Sequence, residues 1–182
     1  MLLKLREQAP GIETKLVPGV SLDLLNQVDS GEIDLAIIIR PPFQLPKELE
    51  LELVRSEPFV LVAPTDMDAN EPLKMLTEYP FIRYDRSSFG GRLVTQFMRR
   101  QHIQPRQVLE LDELDAIVKM VESGLGIALI PEAGLWVENK PRVQIIDLGD
   151  KVFHRDLVLI SRYGSRQSPP QKLFRECVME QV

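Results

Sequence analysis

The chain has 182 residues, 44% of them hydrophobic, and a formal net charge of −5. That length makes one large or two small domains, and that hydrophobic content belongs to a folded chain, which excludes general disorder. The acidic balance excludes nucleic-acid binding by bulk electrostatics, and the lone Cys177 excludes an internal disulfide or a cysteine metal cluster, a usage that suits a reducing cytosol.

The opening MLLKLREQAP is too short and too charged for a signal peptide, and no apolar run approaches the ~20 residues of a membrane span. Met1 to Gln8 reads as the end of a helix with apolar contacts from Leu2, Leu3 and Leu5, stopped by Pro10-Gly11. Ile12 to Val17 alternates and predicts a strand closed by Pro18-Gly19. Ser21 suits the N-cap of a helix through Val28, with Leu22, Leu25 and Val28 on one face and Gly31 as the stop. Asp34 to Ile39 is nearly continuous apolar sequence and predicts a strand covered on both faces, as in a parallel sheet, broken by Arg40-Pro41-Pro42.

Leu49 to Arg55 alternates, with Leu49, Leu51 and Leu53 expected inside and Glu50, Glu52 and Val54 outside. Phe59 to Ala63 predicts a further buried strand, ended by Pro64. A polar loop, Thr65 to Pro72, leads to a short helix over Leu73 to Thr77 and a strand over Phe81 to Tyr84. Gly90 to His102 predicts a helix whose stripe is Leu93, Val94, Phe97 and Met98, followed by a strand from Val108 to Leu111.

Glu110 to Glu132 is the best-punctuated stretch. Leu114, Ile117, Val118 and Val121 recur at i, i+3, i+4 and i+7, the stripe of an amphipathic helix. Asp112 stands as its expected N-cap, Asp115 as the returning carboxylate of a capping-box-like pair, and Gly124 as its left-handed stop. Leu125 to Ile130, ended by Pro131, predicts a strand buried on both faces. Beyond it come a short helix with Trp136, strands over Val143 to Leu148 and Leu157 to Ile160, and a last helix opened by Pro169-Pro170 with Leu173, Phe174, Cys177 and Val178 inside. Alternating strands and helices give an α/β class with a mostly parallel sheet. Two lobes are expected, with strands near Val62–Pro64 and Leu157–Ser161 crossing between them around a hinged cleft.

Three segments together resemble one family, the effector-binding (substrate-binding) domains of LysR-type transcriptional regulators. They are the run from Ile12 to Pro42 with its GEIDLAI strand at Gly31 to Ile37, the run SEPFVLVAP at Ser56 to Pro64, and MVESGLGIALIPE at Met120 to Glu132. The resemblance implies a periplasmic-binding-protein-like fold of type 2: two Rossmann-like lobes, with residues 1–62 and 159–182 in lobe I, 63–158 in lobe II, and an effector cleft at the hinge. It implies a cytoplasmic homodimer or homotetramer that senses a small metabolite, possibly a carboxylate, with no cofactor or metal and no catalysis. DNA would be reached only through an N-terminal winged helix-turn-helix, which these residues do not contain. The family's first strand, which lies between the strands matching Ile12–Val17 and Asp34–Ile39, is also missing, so these residues are expected to come from a longer polypeptide; the intact mass of the native product tests that.

The family's effector contacts lie in loops matched here by Arg40-Pro41-Pro42, Tyr84 to Gly91 and the helix start at Asp112. The expected effector residues are Arg40, Pro41, Tyr84, Arg86, Ser87, Ser88, Phe89, Gly90 and Asp112. Asp85 to Gly91 sets hydroxyls and glycines at a helix N-terminus, where free N–H groups suit an anion, and Arg83, Arg86 and Arg92 stand nearby in sequence. An ordinary cap by Ser87 or Ser88 with surface arginines is the simpler reading of the same residues. Glu110, Asp112, Glu113 and Asp115 would repel an anion; they cap their helix or receive an ammonium or hydroxyl. Arg40 is a ligand clamp or a surface charge. His102 and His154 read as surface or structural histidines, Cys177 as core. A solute-binding protein of a transport system and an enzyme on the same scaffold are the alternatives, the first needing export and the second a catalytic constellation that no linear motif supplies.

Overall fold

A computed structural model of the chain describes residues 2–69, 71–139, 141–164 and 169–180. The expected helix start at Met1, one residue of the expected loop (Asn70) and the end of lobe I at Gln181-Val182 lie outside the described residues. The chain divides into two compact units, Met1–Ser56 with Asp156–Val182, and Glu57–Arg155. The divisions fall at Ser56/Glu57 and Arg155/Asp156, where sequence places them at Val62/Ala63 and Val158/Leu159. The difference follows from the apolar run Phe59 to Ala63, all of which enters the second unit's core.

The first unit takes α1 (Leu2–Gln8), α2 (Ser21–Ser30), β1 (Leu35–Ile39), the start of β2 (Leu49–Pro64), most of β7 (His154–Arg162) and α7 (Pro169–Met179). β1 pairs antiparallel with β7, from Leu35 opposite Ser161 to Ile39 opposite Leu157. Leu24, Leu25 and Val28 of α2 pack on Ala36 and Ile38 of β1, Val158 and Ile160 of β7, and Leu49. On the other side Val54 and Leu159 meet Val178 of α7. The turn after α2 is fastened by Arg162, whose Nη1 donates to the carbonyls of Val28 at 2.6 Å and Ile33 at 3.2 Å. That answers carbonyls a helix end leaves unpaired.

The second unit holds α3 (Pro72–Glu78), β3 (Pro80–Tyr84), α4 (Phe89–Arg100), β4 (Arg106–Leu111), α5 (Leu114–Glu122), β5 (Ile127–Pro131), α6 (Leu135–Glu138) and β6 (Val143–Ile146). Its strands run in the order β6-β2-β5-β3-β4. β3 is parallel to β4 and β5, whereas β2 is antiparallel to β5 and β6. Every residue of β5 is buried, as its unbroken apolar sequence requires. Phe153 stacks on both Phe59 and Phe97, with centroids 4.3 and 4.5 Å apart.

Several expectations give way to tertiary context. The sheet is mixed rather than mostly parallel, because β1, β2 and β7 pair antiparallel. Ile12 to Val17 is not a strand: among the described residues no strand pairs with it, and Leu16 stays exposed. Burial alternates along β1, leaving Ile37 open to solvent, so it is not covered on both faces. Leu49–Arg55 and Phe59–Ala63 are one 16-residue strand, and its inward face changes midway: Val54 is 9% exposed and Leu53 47%, the reverse of the expected pair. Ser21 is the first helical residue rather than the cap, and its Oγ accepts the Ile39 N–H at 3.2 Å. Leu22 is exposed where Leu24 is buried, and Leu3 is exposed beside buried Leu5. The cap position of α5 is Glu113, with no side-chain cap from Asp112 and no box closed by Asp115. Both glycine stops hold, with left-handed φ of 85° at Gly31 and 77° at Gly124.

Candidate functional site

In the second unit β3 ends at Tyr84, and the chain turns through Asp85 to Ser88 into α4. The turn is knotted by its own side chains. The Asp85 carboxylate accepts the Ser87 N–H at 2.9 Å and the Ser87 hydroxyl at 2.7 Å. The Ser88 Oγ accepts the Gly91 N–H at 3.1 Å, an N-cap bond, and donates to the Asp85 carbonyl at 2.8 Å. Gly90 and Gly91 are required by close approach. A Cβ on Gly91 would stand 1.9 Å from the Asp85 carbonyl oxygen, and one on Gly90 would stand 2.5 Å from the Tyr84 ring. Two N–H groups expected to greet an anion are therefore already bonded, one of them to a carboxylate.

The three neighbouring arginines are also occupied. Arg83 is buried, its Nη2 donating to Thr95 Oγ1 at 2.6 Å, and burial lowers its pKa. Arg86 lies against Glu110, with Nε 3.1 Å from one carboxylate oxygen, and its Nη2 donates to Gln107 at 2.5 Å. The backbone N–H of Arg86 binds the same Glu110 carboxylate at 3.0 Å, and that bond leads in holding Glu110 down to about 2. Arg92 packs over the Phe89 ring at 5.7 Å. The simpler reading, a capped helix with arginines engaged elsewhere, describes Ser87, Ser88, Arg86 and Phe89 well.

What the fold adds is a polar cluster around the Tyr84 hydroxyl. Arg155, at the start of β7, donates through Nη1 to Tyr84 Oη at 3.3 Å and through Nε to Glu57 of β2 at 2.6 Å. Arg155 and Glu57 are only 9% and 3% exposed. Asp112 completes the group: its charge pushes the Tyr84 phenol upward, and Arg155 draws both Asp112 and the phenol down. Burial dominates the rise at Tyr84, and desolvation followed by Asp85 and Glu113 dominates the rise at Asp112. The Ser88 hydroxyl has a single proton to share among the Asp85 carbonyl, Asp112 and Tyr84. Acceptors outnumber donors here, so this part of the second unit suits a hydroxyl or ammonium better than an anion.

In the first unit Arg40 follows β1. Its backbone N–H binds the Asp156 carbonyl at 2.8 Å and its Nε binds Asp156 Oδ2 at 2.9 Å, while Asp156 Oδ1 accepts the Ser56 hydroxyl at 2.9 Å. Pro41 is buried beside it. The side chain of Arg40 is exposed, and the bond to Asp156 leaves both Nη nitrogens unused by it, so a cation fork remains for a carboxylate.

Sequence reasoning brought Tyr84, Ser88, Gly90 and Asp112 to one place, named Asp85 only as the start of its loop, and did not single out Glu57, Arg155 or Asp156. A signal existed: Glu57 and Arg155 each stand two residues before an apolar strand run, where a charge drawn inside needs a partner. Among the described residues no group of three or more His, Cys, Asp and Glu could hold a metal ion, and no helix is long and apolar enough to cross a membrane.

A family model described as the LysR substrate binding domain matches residues 1–182. The transcriptional activator IlvY of Salmonella typhimurium is 30% identical over 163 residues, which cover 83% of this chain and 54% of that protein. The regulator IlvR of Caulobacter vibrioides is 33% identical over 149 residues, covering 79% and 50%. The chain thus spans about half the length of these relatives. Among solved structures, the effector binding domain of QuiR in complex with shikimate matches with a TM-score of 0.83 at 17% identity, covering 99% of this chain and 87% of that one. The regulatory domain of CcmR from Synechocystis PCC6803 in complex with 2-PG matches with a TM-score of 0.83 at 22% identity, covering 98% and 88%. Likeness at such identities establishes the fold, a periplasmic-binding-protein-like α/β arrangement of type 2.

Proposed function

The chain belongs to the LysR substrate binding domain family, and from that membership we propose that it is the ligand-sensing domain of a LysR-type transcriptional regulator. The observation that carries the reading is the family match over residues 1–182, joined by relatives that are transcription regulators. Those relatives lend no support to a transport role. The proposal includes a cytoplasmic homo-oligomer, dimer or tetramer, that meets DNA through a separate helix-turn-helix domain.

The proposed effector contacts are Arg40 and Pro41 in the first unit and Tyr84, Ser88 and Asp112 in the second. Arg86, Ser87, Phe89 and Gly90 shape the loop that presents them. Arg40 supports recognition of a carboxylate, and the acceptor-rich Tyr84–Asp112 group supports recognition of hydroxyls or an ammonium. Carboxylates probe the first group and hydroxyl or ammonium compounds the second, and a small hydroxylated carboxylic acid carries features for testing each. Shikimate, the ligand in the QuiR complex, is such a compound and is the first probe to use.

Ligand binding to the folded state raises its stability, by about 2.7 kcal/mol at a hundred times Kd. A thermal-shift series with shikimate and other small hydroxy acids should therefore raise the melting temperature with at least one of them. Absence of any rise across the series would remove the ligand-sensing claim. Retention of a rise in Arg40→Ala and Asp112→Asn would remove the proposed contacts while leaving the function.

A further inference from the structure

β2 and β7 each pass from one unit to the other, and at the passage their side chains are clasped twice in succession. Ser56 binds Asp156 at 2.9 Å inside the first unit; one residue on, Glu57 binds Arg155 at 2.6 Å inside the second. Each clasp continues to a different proposed effector residue: Asp156 to Arg40, through its carboxylate at 2.9 Å and its carbonyl at 2.8 Å, and Arg155 to Tyr84 at 3.3 Å. Successive strand residues point to opposite faces, so one dipeptide can serve two separate groups.

The Glu57–Arg155 pair also needs a reason to exist. Its side chains are 4% and 10% exposed, and a buried ion pair is seldom more stable than apolar residues of the same size. The apolar parts of β2 and β7 find their partners in β5 and β1, from Phe59 and Leu157 onward, without involving the pair. What apolar residues could not supply is a charged donor to the Tyr84 hydroxyl, which otherwise has only a share of the Ser88 hydroxyl.

We propose that Arg155 and Asp156 are positioning residues for effector recognition, Arg155 with Glu57 setting the Tyr84 hydroxyl and Asp156 with Ser56 setting the Arg40 guanidinium. The inference rests on the effector-sensing reading above, and it names residues that touch no effector themselves.

The test uses the intact chain, with spectroscopic arms that need no ligand and a binding arm that does. NMR with labelled tyrosine follows the Tyr84 phenol, identified by its loss in Tyr84→Phe, and labelled arginine follows the Arg40 Nε–H. Because Arg155→Met alone strands a buried carboxylate and can fail to fold, the variant is the double Glu57→Gln/Arg155→Met. It should move the Tyr84 titration upward and leave the Arg40 signal in place. Asp156→Asn should speed exchange of the Arg40 Nε–H about tenfold and leave Tyr84 in place. Calorimetry with shikimate as the probe should show each variant weakened about tenfold, with Asp156→Asn adding little to Arg40→Ala. Unmoved Tyr84 and Arg40 signals would overturn the brace whatever shikimate does. Moved signals with unchanged shikimate affinity would overturn the positioning role and leave the effector reading standing. If the wild-type chain takes up no shikimate, that choice of ligand fails, and the two spectroscopic arms still decide the brace.

Discussion

The Tyr84 ring lies so close to Gly90 that a methyl group there would stand 2.5 Å from a ring carbon and 2.8 Å from the hydroxyl. Gly90 has ordinary helical backbone, so alanine would suffer no conformational penalty; the cost is the contact alone. Tyr84 cannot swing aside freely, because Arg155 binds its hydroxyl. Gly90→Ala should therefore lose about 1–3 kcal/mol of stability, the usual range for overpacking, and alter the near-ultraviolet signal of tyrosine. Gly91→Ala should cost more, since its methyl would meet the Asp85 carbonyl oxygen at 1.9 Å and backbone yields less than a side chain. Equal stabilities of the two variants in denaturant titration would count against this account of the loop.

The Glu57–Arg155 pair should behave as one object. Removing either partner takes the compensating charge away from the other, still buried and charged, at a cost of about 3–5 kcal/mol. The double variant Glu57→Gln/Arg155→Met removes both charges together, so it should be more stable than Glu57→Gln or Arg155→Met alone. Denaturant unfolding of the four proteins in a cycle measures the coupling, and additive losses would show that the pair is not coupled.

These two cases mark what sequence can and cannot carry. The stripes of α4 and α5, the glycine stops and the apolar run from Ile127 to Ile130 are local patterns, and they fold as read because one helix turn or one strand suffices to express them, whereas Leu125, at the head of the expected strand, stays exposed and outside β5. Ile12 to Val17 carries a strand pattern too, yet a strand exists only where a neighbour pairs with it, and among the described residues none does. Leu53 and Val54 exchange faces because β2 serves the cores of both units along its length. At the site, Tyr84 and Ser88 stand four residues apart and were legible together. Glu57 and Arg155 are separated by 98 residues, and nothing short of the β2–β7 pairing brings them within hydrogen-bond distance.

Glu110 gives the chain an acid-sensitive point. Its carboxylate is held near 2, against an ordinary 4.5, first by the Arg86 backbone N–H and then by Gln107 and the Arg86 side chain, with desolvation opposing them. A carboxylate depressed in the folded state binds fewer protons there than in the unfolded chain. Its contribution is complete above about pH 4.5 and is lost as the pH falls towards 2. Glu110→Gln should thus lower stability at neutral pH and flatten the decline between those two values. A wild-type and a variant whose melting temperatures fall in parallel over that window would show that Glu110 is not its source.

Asp112 has the opposite sign and a functional consequence. Desolvation, then Asp85, then Glu113 raise its pKa, outweighing the Ser88 hydroxyl and Arg155. A raised carboxylate binds more protons folded than unfolded, so its charge costs stability that sets in as the pH rises above the unfolded value and is complete above the folded one. Asp112→Asn keeps the shape and removes the charge, and should melt slightly higher than the wild-type at neutral pH. The gain should be no more than about 1 kcal/mol, because the side chain keeps an exposed edge that water screens. It should shrink as the pH falls and the wild-type carboxyl takes up its proton. The same substitution removes the acceptor proposed for an effector hydroxyl or ammonium, so the shikimate-induced shift should shrink as the ligand-free melting temperature rises. That pairing separates a site residue from a structural one: a group kept only for the fold would lose stability when neutralised, whereas a group kept for a ligand gives up binding and gains stability.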